Sequence, residues 1–165
     1  MTTSEEYMAS MFESIDEVSS FLEDEKSFLV EAEKRVVKRY GDVRIVHWDS
    51  YVHATLGLPS NKFGGCGAST VGEGIIIINT ATLDSVHFDA IIAHELGHLE
   101  YRHGAISLEN EMQADKFAYD SGHDILSALI ELRSIIDEFV EMGLADPSVK
   151  TMFETRIQKL ASYGN

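Results

Sequence analysis

Cysteine is almost absent from this 165-residue chain: Cys66 stands alone, which excludes an internal disulfide framework and fits a reducing compartment. Proline occurs twice, at Pro59 in an irregular stretch and at Pro147 where a helix opens. Cations are outnumbered, with 13 Lys and Arg against 28 Asp and Glu and a net charge of −15. Such a chain repels nucleic acid and anionic membrane, and neither is expected as a partner. The excess of acid suits cationic substrates or simple solubility equally well. No apolar run approaches the roughly 20 residues that span a bilayer, and Met1 to Glu6 is acidic where a signal peptide is basic. These absences predict a cytoplasmic protein. No repeat, low-complexity tract or linker divides the chain, so a single domain over 1–165 is expected.

What is present centres on Ile91-Ile92-Ala93-His94-Glu95-Leu96-Gly97-His98-Leu99-Glu100-Tyr101, an apolar-periodic segment that reads as a helix. At about 100° per residue His94 and His98 share one face, and their rings can reach one ion. Glu95 lies beside that pair, badly placed as a third ligand but able to take a proton from water. This is the H-E-x-x-H arrangement of zinc hydrolases. Before it, Gly74-Ile75-Ile76-Ile77-Ile78-Asn79 reads as a strand, and a helix start is expected at Asp84 or Ser85 with Asp89 in its first turn. Beyond it, Gly104 suits a helix end and Ser107 the cap of the next helix.

A short connection makes the two helices antiparallel neighbours. His98 then lies roughly 7 Å before the end of the first helix and Glu111 roughly 5 Å into the second. The register offers Glu111 as third metal ligand and, one turn on, Asp115 as a carboxylate holding the NH of His94. Substitution of Glu111 by His123 or Asp115 in the ligand set stays open. A His2Glu set with an open position suits one Zn2+ per chain.

His94-Glu95-x-x-His98 with Glu111-x-x-Ala114-Asp115 resembles the gluzincin metallopeptidases, and most of all small HtpX-like or CAAX-protease-like catalytic domains. ImmA/IrrE-like peptidases are the second likeness, although their pattern more often has Asn where Asp115 stands. The likeness runs from about Val43 to Leu132. It implies a zinc-dependent endopeptidase acting on peptide or protein substrates, with Glu95 as general base and then acid. It further implies an edge strand that aligns substrate, in the glycine-rich region between Asp49 and Glu73. The chain lacks the membrane spans of many HtpX-like proteins and would be a soluble relative. A protease dedicated to one regulatory protein and a catalytically silent zinc-binding interaction protein are the alternatives.

The remaining expectations are local. Met8, Met11, Phe12, Ile15, Val18, Leu22, Leu29, Val36 and Tyr40 are spaced as one or two helices over 4–40. That gives a helical extension over 1–41, a peptidase core over 43–132 and covering helices over 133–165. Val43 to Trp48 reads as a first strand and Val52 to Leu56 as a short second one. Cys66 is either a small buried residue or a thiolate cap on the metal. Tyr119 and His123, and equally Tyr101 and Arg102, are candidates for a donor to the oxyanion formed when water attacks a peptide carbonyl. His103 falls about 180° from His94 on a helical wheel and is not expected as a ligand. His47, His53 and His87 read as structural. Leu126 to Val140 forms an apolar stripe stopping at Gly143, and Asp146-Pro147 opens a last helix. The fold class expected is α+β, with N-terminal helices, a mixed sheet of two to four strands, the H-E-x-x-H helix, the Glu111 helix and covering helices.

Overall fold

A computed structural model of the chain describes residues 25–56, 66–72, 74–104 and 107–164. The stripe from Met8 to Leu22 lies outside these residues, as do Leu58 to Gly65. The fold is α+β, and the chain divides into two compact units, Met1–Leu83 and Asp84–Asn165.

The first unit holds a four-stranded mixed sheet in the order β1-β2-β4-β3. It runs through α1 (Glu25–Lys34), β1 (Val36–Tyr40), β2 (Val43–His47), α2 (Asp49–Leu56), β3 (Ala68–Val71), β4 (Ile75–Ile78) and α3 (Thr80–Leu83). The helical pattern expected through Tyr40 stops at Lys34. The β-branched pair Val36-Val37 starts a strand instead, and Gly41, at φ 58°, turns it back as an antiparallel hairpin on β2. Val52 to Leu56 is likewise helical rather than extended, since Asp49 in the first turn favours a helix that a five-residue apolar run cannot reveal by itself.

β4 is the centre of the sheet, parallel to β2 and antiparallel to β3. All four of its isoleucines are buried, as expected for a strand covered on both faces. On one face Ile75 and Ile77 join Val46, Phe28, Ala32, Trp48, Tyr51 and Val52 in a single core. Phe28, Trp48 and Tyr51 stack there with ring centroids 5.6–5.8 Å apart. At the carboxyl ends of β2 and β4, Asp49 accepts from the backbone N–H and the hydroxyl of Thr80, both at 2.6 Å, and thereby starts α3. His47 completes this polar corner through Thr80 Oγ1 at 2.8 Å. Cys66 is half-buried, its thiol 3.6 Å from the Ala81 carbonyl.

The second unit is four helices, α4 (Phe88–Glu100), α5 (Leu108–Asp120), α6 (Ile125–Glu141) and α7 (Pro147–Tyr163). α4 packs on α5 and α6, and α7 packs on the same two. The caps explain most boundaries. Ser107 accepts from the N–H of Asn110, Asp124 from Ser127 and Asp146 from Ser148, with Pro147 in the first turn of α7. α4 starts at Phe88 with His87 at its cap position, three to four residues later than expected, because Ser85 spends its hydroxyl and carbonyl on the N–H groups of His87 and Phe88 in a preceding turn. His87 also pairs with Glu131 of α6 at 2.6 Å. Among the described residues no helix is long and apolar enough to cross a membrane.

Candidate metal centre

One residue sets the distance between α4 and α5. A Cβ added to Gly97 would lie 3.0 Å from Ala114 Cα, 3.1 Å from the Ala114 carbonyl and 3.1 Å from Phe117 Cβ. Ala114 is itself fully buried, so two backbones meet here without side chains between them. Gly97→Val is therefore expected to force the helices apart. Overpacking of this kind costs about 1–3 kcal/mol, and any zinc held between the helices should be bound more weakly. Thermal melts and chelator competition check both effects; unchanged values would mean that the helix pair yields freely.

Contacts along this seam run in opposite directions. As α4 advances from His94 to His98, its partner on α5 retreats from Asp115 to Glu111, so the helices are antiparallel. Glu111 sits in the first turn of α5, where the helix N-terminus favours a carboxylate. Its Oε2 lies 3.0 Å from His94 Nε2 and its Oε1 3.3 Å from His98 Nε2, while the two Nε2 atoms are 3.1 Å apart. Glu95, buried on α4, has a carboxylate oxygen within 4.8 Å of a ring nitrogen of each histidine. The histidine pair thus has two carboxylates beside it, Glu111 at 3.0 and 3.3 Å and Glu95 within 4.8 Å.

The donor set can be tested against a metal directly. Three ligands bound at about 2.0–2.2 Å in tetrahedral geometry stand roughly 3.3 Å apart, which is close to the separations here. Two imidazole lone pairs and a carboxylate repel one another at such distances unless a cation lies among them. Zn2+ fits this set, and in its absence a proton serves.

Electrostatics follow the same logic. Burial works against a charged His94 ring, but Asp115 and Glu111 outweigh it and hold its pKa up at about 9 in the metal-free protein. Burial raises Glu111, yet the two histidines carry it well below the carboxylate range. A His whose folded value exceeds the unfolded 6.5 adds stability that is complete below pH 6.5 and disappears as pH rises through about 9. Chelator-treated protein is thus expected to lose thermal stability between pH 6.5 and 9, and zinc-loaded protein to lose less. A flat profile for the metal-free form would contradict this pairing.

Behind His94, Nδ1 lies 2.8 Å from Asp115 Oδ1 but without the alignment of a straight hydrogen bond. Asp115 is gripped by Arg156 of α7 through a two-pronged contact, Nε to Oδ2 at 2.9 Å and Nη2 to Oδ1 at 2.8 Å. The same guanidinium stands 3.5 Å from Glu111. Sequence reasoning passed over Arg156. The clue was a charge inside the apolar stripe of the last helix, three residues after Phe153 and four before Leu160, at a position that has to be buried.

His103, not expected as a ligand, contacts the cluster through His98 instead. α4 ends at Glu100 and the chain turns back through Arg102 at φ 53°, so the helical wheel does not extend to His103. Its Nδ1 is 2.8 Å from His98 Nδ1, and its Nε2 is 2.7 Å from Gln113 Oε1 of α5. Among the described residues none of the oxyanion candidates hydrogen-bonds to His94, His98 or Glu111. Tyr119 is exposed and packs against Tyr163, and Tyr101 stacks on His103 and meets the edge of Phe117. Arg102 is exposed in the turn, and among the described residues the His123 ring makes no hydrogen bond or ion pair with the histidines.

Comparison of the chain with protein-family models, with curated proteins and with solved structures gives no match. The chemistry of the side chains therefore carries the functional argument.

Proposed function

We propose that this protein is a zinc-dependent endopeptidase of gluzincin type, with zinc held by His94, His98 and Glu111 and with Glu95 as general base and acid. The observation that carries the reading is the approach of two Nε2 atoms and one carboxylate to within 3.0–3.3 Å of one another. A purely structural zinc site fills its fourth position with protein. In this reading the other carboxylate beside the histidine pair, Glu95, carries the proton and leaves the fourth position open to water. When bound, the metal supplies Lewis acidity toward the scissile carbonyl and acidifies water at neutral pH. Glu95 takes the proton of the attacking water and returns it to the leaving amine. Asp115 holds the Nδ1 side of His94, which leaves Nε2 as the donor. Arg156 balances the charge of both Asp115 and Glu111.

The deciding experiment is a digest of a diverse peptide mixture, read by mass spectrometry, with protein that is zinc-loaded, chelator-stripped or re-supplied with zinc. Internal cleavage by the first and third samples alone is the expected result, together with one zinc per chain. One zinc per chain without cleavage of any peptide or protein would turn the reading to a zinc-holding interaction protein. Failure to bind zinc at all would remove the metal centre.

A further inference from the structure

From the three-residue chain His98, His103 and Gln113 we infer that Gln113, acting through His103, fixes the tautomer of His98 so that its Nε2 lone pair faces the metal. The inference rests on the reading of this cluster as a zinc site and concerns how that site is prepared.

The chain exists because of how α4 ends. The N–H of His103 donates to the His98 carbonyl at 3.0 Å and that of Arg102 to the Leu99 carbonyl at 3.2 Å, with Arg102 in the left-handed region. This is the paired hydrogen-bond pattern of a Schellman terminus, which brings the residue two past the cap over the residue five positions before it in the last turn. That contact is ordinarily apolar, and here it is a pair of imidazoles. α5 and α6 end in the same pattern but with Gly122 and Gly143 at the left-handed position. At α4 that position is Arg102, a residue that pays conformational strain of order 1 kcal/mol there.

Proton placement then follows from what each atom is able to do. The Gln113 Oε1 carbonyl only accepts, so the proton between it and His103 Nε2 belongs to His103. A neutral His103 protonated on Nε2 has a bare Nδ1. Two bare ring nitrogens do not sit 2.8 Å apart, so the proton of that contact belongs to His98 Nδ1. His98 is left with its lone pair on Nε2, the atom facing His94 and Glu111. Reversing the amide reverses every step: an NH2 group toward His103 would push a proton onto His98 Nε2 and block ligation. His94 reaches the same outcome through Asp115, so the two ligand rings are oriented by different devices.

The test uses the full chain with substitutions at exposed Gln113. Gln113→Glu keeps an acceptor, Gln113→Met offers neither donor nor acceptor, and Gln113→Lys offers donors only. Zinc affinity by chelator competition is expected to stay within threefold of the parent for Gln113→Glu, and to fall about 10–100-fold for Gln113→Lys, with Gln113→Met between them. Glu109→Gln, the same change of one positive unit at an exposed position of the same helix, is expected to change affinity by less than threefold and so controls for the general field. Nitrogen-15 shifts of the imidazoles in metal-free protein at high pH should show His98 as the Nδ1–H tautomer in the parent and the Nε2–H tautomer in Gln113→Lys. A merely structural role for Gln113 would not move that signature. Equal affinities across the three variants, or an Nε2–H tautomer in the parent, would overturn the inference while leaving the zinc site intact. Absence of zinc binding by the parent would instead defeat the underlying reading.

Discussion

Glu95→Gln is expected to bind one zinc per chain and to hydrolyse peptides roughly 10²- to 10⁴-fold more slowly than the parent, the span usual for loss of a general acid–base group. Gln has the size and polarity of Glu but no basic oxygen at neutral pH, so the fold and the ligands are untouched while proton transfer is lost. The effect belongs in kcat rather than KM, because the carboxylate acts on the proton and not on the bound peptide. Steady-state kinetics beside metal analysis separates the two quantities. Hydrolysis at a comparable rate would remove Glu95 from the mechanism, and loss of zinc from the variant would make it a ligand instead of a base.

The second large effect is expected at Arg156, on thermal stability. The Arg156 and Asp115 side chains are only 7% and 2% exposed. Removal of Arg156 leaves Asp115 with His94 as its remaining counter-charge, and loss of one member of a buried pair costs about 3–5 kcal/mol. For a chain of this size each kcal/mol corresponds to about 2–4 °C, so Arg156→Met should melt about 6–20 °C lower in metal-free form. The double variant Arg156→Met with Asp115→Leu should recover much of that loss, since no charge is left buried without a partner. Arg156→Lys should recover little, because an ammonium cannot reproduce the two-pronged grip on the carboxylate. A melting temperature within 2 °C of the parent for Arg156→Met would show that Asp115 is balanced by another group.

The parts of this site that are local in sequence could be read from it. His94 and His98 share a helix face by spacing alone, and Ser107 caps α5 through Asn110. Counting from that hairpin puts Asp115 level with His94, and the two are 2.8 Å apart. The α+β class likewise follows from the Ile75 to Ile78 run beside strongly periodic helices.

What escaped the sequence is what depends on a turn or on distant packing. Val36 to Tyr40 carries apolar residues at positions compatible with a helix, and only pairing with β2 makes it a strand. His103 was placed by extending a helix that in fact stops at Glu100, and Arg102 gave no warning because the left-handed position it occupies usually belongs to glycine. Arg156 lies 41 residues from its partner, and no local pattern joins them.

That separation also orders events in time. A ribosome adds about 5–20 residues per second, so for about 2–8 s after Asp115 is made the guanidinium that will hold it does not yet exist. During that interval His94, His98, Glu111 and Asp115 are all present in the nascent chain, but without the guanidinium that stands beside Asp115 and Glu111. The buried Asp115–Arg156 pair therefore cannot form before α7 is made, and translation itself sets its earliest moment.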